Sequence, residues 1–67
     1  MANQNEYHQA ALTSAQAAHY IGMTEGWLRQ QRCHGTSDQP PYVKIGRSVR
    51  YLKADLDAWL ASRRHAA

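Results

Sequence analysis

The feature that most constrains this chain is a pair of helix-start signals set on either side of one glycine. Leu12 precedes Thr13-Ser14-Ala15-Gln16, a capping-box pattern in which the Thr13 hydroxyl accepts from the Gln16 amide while the Gln16 side chain reaches back. A helix starts there, with apolar Ala15, Ala18 and Ile21 spaced by three and Ala17 and Tyr20 alongside; Gly22 is placed to end it in a left-handed cap. Only Gly22 and Met23 then precede Thr24, a second N-cap, and Glu25 sets a negative charge at the positive end of the next helix dipole. Two short helices therefore meet across a tight turn.

The second helix is predicted to run to about Cys33. Trp27, Leu28 and Gln31 share a packing face, while Gly26, Arg29, Gln30 and Cys33 share a wet one. This is the helix-turn-helix arrangement. His34 to Pro41 is turn chemistry without an apolar period, hence a loop. Tyr42-Val43-Lys44-Ile45 and Val49-Arg50-Tyr51 alternate on either side of Gly46-Arg47-Ser48, predicting a hairpin with Val43, Ile45, Val49 and Tyr51 inward and Lys44 and Arg50 on the other face. Leu52, Leu56, Trp59 and Leu60 fall at helical spacing, so an amphipathic helix follows from about Lys53 to Arg64. Asp55 and the pair Arg63 and Arg64 suit the two ends of its dipole. The expected fold is α+β and mostly helical, a compact winged helix-turn-helix with a two-stranded hairpin wing and a C-terminal helix. Residues 12–67 form that domain, and residues 1–11, polar and without period, form a flexible leader.

At 67 residues the chain holds one small domain. No run approaches the roughly 20 apolar residues of a bilayer span, and the leader lacks the apolar segment of a signal peptide; a cytoplasmic protein is expected. One cysteine, Cys33, closes no internal disulfide. His8, His19, His34, His65 and Cys33 show no paired ligand spacing, so neither metal nor cofactor is expected. Without a nucleophile and positioned base, paired carboxylates or a phosphate loop, the chain is not read as an enzyme, and no small-molecule substrate is expected.

The net charge is +3, but it is unevenly spread. Between Arg29 and Lys53, Arg29, Arg32, Lys44, Arg47, Arg50 and Lys53 face one acid, Asp38, for a net +5; the remainder of the chain is −2. A basic stripe over a helix and a ribbon suits phosphate contact, which is driven by counterion release. The alternative is a solvated basic face on an ordinary small domain. A recognition helix presents its N-terminal residues to base edges in the major groove, which brings Thr24, Glu25, Gly26, Arg29 and Gln30 into view, with Arg29 suited to guanine and Gln30 to adenine. Arg32 belongs to the same basic stripe. Lys44, Arg47, Ser48 and Arg50 form the wing's contact, with Arg47 at the tip for the phosphate backbone or a minor groove. Trp27 and Trp59 read as core anchors. If most of the six cations neutralise phosphates, log affinity against log salt should slope at roughly −4 to −5.

Four stretches in order, Leu12-Thr13-Ser14-Ala15-Gln16-Ala17-Ala18, Ile21-Gly22-Met23-Thr24, Pro40 to Tyr51 (PPYVKIGRSVRY) and Asp55-Leu56-Asp57-Ala58-Trp59-Leu60, resemble the excisionase and AlpA-like winged helix-turn-helix family, relatives of the MerR-type DNA-binding head. The resemblance runs from Leu12 to Arg64. It implies a protein of phages, integrative elements or plasmids that sets its second helix in the major groove and its wing in the adjacent minor groove of double-stranded DNA. Members bend DNA and direct an integrase, a site-specific recombinase, toward excision, often by cooperative self-association on repeated sites; others are transcriptional regulators. The family usually has an aromatic or aliphatic residue where Gln31 stands and a small one where Trp27 stands, so Trp27 fills the gap from one turn earlier. The leading expectation is a recombination directionality factor, with a transcription regulator as alternative and a protein-interaction adaptor, using the last helix and the Tyr7-containing leader, as a lesser one.

Overall fold

In the computed structural model, which describes residues 11–65, the capping box at Thr13 is formed: its hydroxyl accepts from the Gln16 amide at 3.2 Å and its amide donates to Gln16 Oε1 at 3.0 Å. It opens α1, Ser14–Ile21, which closes on Gly22 at φ 77°. Thr24 caps α2, Glu25–His34, by accepting from the Trp27 amide at 3.0 Å, and Gly35 ends it at φ 62°. Both caps satisfy amides that a helix end leaves without partners.

Three strands follow from two directions. β1, Ala11–Leu12, precedes α1; β2, Val43–Ile45, and β3, Ser48–Leu52, form the hairpin. The order is β1-β3-β2, antiparallel throughout. α3, Lys53–Ser62, leaves β3 directly, with Leu52 as an N-cap that offers no side-chain bond, and ends two residues short of the Arg64 expected. The two-stranded wing is thus widened by a third strand, whose first residue, Ala11, had been assigned to the leader. The rest of that leader, and Tyr7 with it, lies outside the described residues.

The hairpin register differs from the one expected. Ile45 pairs with Ser48, Lys44 with Val49 and Val43 with Arg50, so the loop is the two residues Gly46 and Arg47 rather than Gly46-Arg47-Ser48. Gly46 supplies φ 62° at the first loop position, where a two-residue turn of the II′ kind needs it. Removing one residue from the loop flips one strand relative to the other. Lys44 therefore shares a face with Val49 and Tyr51, while Val43, Ile45, Ser48 and Arg50 share the opposite face. Lys44 and Arg50 do not lie together, and Ile45, expected inside, is 67% exposed.

The core is Leu12, Ala17, Ala18, Leu28, Tyr51 and Leu56, with Ile21, Trp27, Tyr42 and Val49 packed around it. α1 turns Ala17 and Ala18 inward and leaves Ala15 and Tyr20 exposed, so its buried stripe lies one step round from the expected one. Of the apolar series expected for the last helix, Leu56 is fully buried and Trp59 partly so, Leu60 is more than one-third exposed, and Leu52, equally exposed, ends β3 instead. Each fully buried leucine contributes roughly 1.5–3 kcal/mol by leaving water.

Trp59 anchors the loop after α2. Its indole donates to the Asp38 carbonyl at 2.8 Å and packs against Trp27 at 6.3 Å between ring centroids. The Arg63 guanidinium lies 4.7 Å from the Trp59 centroid and also donates to that carbonyl. The start of the loop is held too, since the Thr36 hydroxyl donates to Gln31 Oε1 at 2.8 Å.

Candidate nucleic-acid interface

The outer face of α2 carries Glu25, Gly26, Arg29, Gln30 and Cys33, all exposed. Leu28 on the inner face is fully buried and fixes the helix to the core. Thr24 is exposed too, but its hydroxyl is already engaged with the Trp27 amide. Beside this face stands the hairpin, with Arg47 and Ser48 exposed at its end.

Between helix and hairpin lies an open cleft of about 290 Å³, lined by Arg29, Arg32 and Cys33 from α2 and by Tyr42, Lys44 and Val49 from the wing. Three cations and no acid border it. Lys44 reaches it because the two-residue loop turns Lys44 to the Tyr51 face. The same register carries Arg50 to the other face, where its guanidinium donates to the Val49 carbonyl at 2.8 Å.

Arg32 is more committed than its neighbours. Its Nη1 donates to the Tyr51 hydroxyl at 2.7 Å and to the Ser14 hydroxyl at 3.2 Å, and its guanidinium lies 5.9 Å from the Tyr51 ring centroid and 6.0 Å from that of Tyr42. One side chain thus joins α1, α2 and β3. The two rings are themselves 5.9 Å apart. Such contacts hold a guanidinium in one orientation.

Lys53 lies apart from this surface. Its ammonium sits 3.5 Å from the Asp57 carboxylate and 5.3 Å from the Tyr20 ring centroid, and the Tyr20 hydroxyl donates to Asp57. The bond to Tyr20, then the Asp57 charge, hold that ammonium above the usual lysine range. Of the six cations between Arg29 and Lys53, Lys53 is thereby drawn into an α1–α3 contact. Asp38, the one acid of that stretch, is 3.7 Å from Arg63.

Of the predicted site residues, Glu25, Gly26, Arg29, Gln30, Arg32, Lys44, Arg47 and Ser48 lie on the helix, the cleft or the wing end, and Arg50 lies on the far side of the wing. Three cleft residues were not among them. Cys33 was legible, since it follows Arg29 by one helical turn. Tyr42 and Val49 depended on the hairpin register.

Helices at a tight glycine turn, a packed second helix with a wet outer face, and a hairpin beside it define a winged helix-turn-helix, the DNA-binding class of small domain. The chain matches the family model described as "Helix-turn-helix domain" over residues 11–64, and it belongs to that family, which holds the excisionase- and AlpA-like proteins. A comparison with curated proteins finds no match. Among the described residues no helix is long and apolar enough to cross a membrane.

Proposed function

We propose that this chain is a sequence-specific architectural DNA-binding protein that acts as an excisionase, or recombination directionality factor. α2 enters the major groove of attachment-site DNA with Glu25, Gly26, Arg29 and Gln30 toward the bases, and the wing, tipped by Arg47 and Ser48, enters the adjacent minor groove. The observation that carries this reading is the exposed outer face of α2 standing beside a cationic cleft and a wing with an arginine at its tip. Family membership supports it, because excisionase-like proteins share this domain. Bending the duplex brings recombinase sites together, so the partner is an integrase, and neighbouring protomers associate on repeated sites. The setting is the nucleoid of a bacterial cell.

The test is a gel-shift and bending assay on attachment-site DNA, combined with an excision assay in which integrase is present with and without this protein. Specific binding, bending and integrase-dependent excision are expected. Binding no stronger than to random duplex at moderate salt rejects the reading. The alternative is a transcription regulator of a phage or integrative element that uses the same DNA contacts; deletion would then change promoter activity and leave excision unaltered.

A further inference from the structure

A helix in the major groove and a wing in the adjoining minor groove must straddle the sugar-phosphate rail that divides the two grooves. In that docking the rail would run through the cleft between α2 and the wing. Its walls carry Arg29, Arg32 and Lys44 with no acid among them. Arg29 and Lys44 are exposed side chains on opposite walls. Arg32 is fixed by Ser14 and Tyr51 through the same Nη1 atom.

We propose that this cleft is the seat of one DNA backbone phosphate, gripped by Lys44 and set against the held guanidinium of Arg32, while Arg29 at its border reaches on toward the bases. The proposal rests on the DNA-binding reading and adds the position of a single strand contact. A guanidinium already oriented by two hydroxyls and two aromatic rings loses little freedom when an oxyanion arrives. The arrangement therefore supplies register: bases are read only when one phosphate is seated.

A scan of single uncharged methylphosphonate linkages tests it, using a duplex selected from a random-sequence pool for tightest binding. One linkage per protein site should weaken wild-type binding about tenfold, the loss expected when a charge-assisted hydrogen bond is removed. At that linkage the penalty should fall below about threefold in Lys44→Gln, an exposed substitution that leaves the core intact, and also in Arg32→Gln. If every linkage keeps its full penalty in both variants, the seat is refuted while DNA binding stands. If wild-type protein fails to bind the unmodified duplex pool, the DNA-binding reading and the seat fall together. Should Arg32→Gln unfold, Lys44→Gln alone decides between these results.

Discussion

The Tyr51 hydroxyl, on the central strand, accepts a 2.7 Å hydrogen bond from the guanidinium of Arg32 on the second helix. Tyr51 is only 1% exposed, so this bond joins the wing to the helix at the edge of the core. Tyr51→Phe leaves Arg32 with Ser14 and should cost about 1 kcal/mol. Arg32→Met strands the buried hydroxyl and removes the aromatic stacking, and should cost roughly 2–3 kcal/mol. Urea unfolding of both variants checks the order; a larger loss for Tyr51→Phe contradicts this account.

Leu28 has no exposed surface and lies where α2 meets the core. Leu28→Ala should cost roughly 3–5 kcal/mol, comparable to the whole stability of a domain this small. Thermal unfolding followed by circular dichroism should show a largely unfolded chain at growth temperature.

Two glycines should respond in opposite ways to alanine. Gly46 sits at φ 62° with open space around it, so Gly46→Ala pays for backbone strain alone, about 1 kcal/mol, and amide exchange should quicken in β2 and β3. Gly26 is helical, exposed and equally uncrowded, so Gly26→Ala should raise stability by roughly 0.5–1 kcal/mol. If the α2 backbone approaches the duplex at that point, the same variant binds DNA more weakly despite its higher melting temperature. Unchanged affinity removes Gly26 from the interface.

Salt dependence should be shallower than the sequence implies. With Lys53 drawn to Asp57 and Tyr20 and Arg50 on the far side of the wing, at most four of the six cations, Arg29, Arg32, Lys44 and Arg47, are left on the helix, the cleft and the wing tip. The slope of log affinity against log salt should be roughly −3 to −4 per protomer. Lys53→Gln should leave it unaltered, whereas Arg47→Gln should reduce it by about 1.

The Lys53 ammonium is held above its ordinary pKa of 10.5 by Tyr20 and Asp57. A raised folded-state pKa contributes stability below the unfolded value, which is lost as pH rises through the folded one. The α1–α3 contact should therefore be intact at neutral pH and weaken above about pH 10.5. Alkaline unfolding of Lys53→Met should begin from lower stability and decline less over that range.

The two helices of the turn, their N-caps, the glycine that ends the first and the buried face of α2 were legible in the chain itself. Thr13, Gln16, Gly22, Thr24 and Leu28 act within one or two helical turns, and local hydrogen bonding and period suffice to place them. The outward face of Arg29 and Gln30 follows from the same period. The hairpin was legible as a hairpin, but not in its register. Whether Gly46 opens a loop of two residues or three is settled by which strand face the core accepts, and that choice put Lys44 in the cleft and Arg50 outside it. Nothing local marked Ala11 and Leu12 as a strand, since a two-residue strand exists only through its partner, Leu52 and Tyr51. The charges of Arg32 and Lys53 could be counted from the sequence, but their partners, Tyr51 and Ser14 for one and Tyr20 and Asp57 for the other, meet them largely through contacts between elements. The chain alone thus determined which segments form helices and which residues carry charge, because those depend on neighbours along the backbone. Tertiary packing decided which charges remain available to a ligand, because that depends on long-range neighbours that no local period encodes.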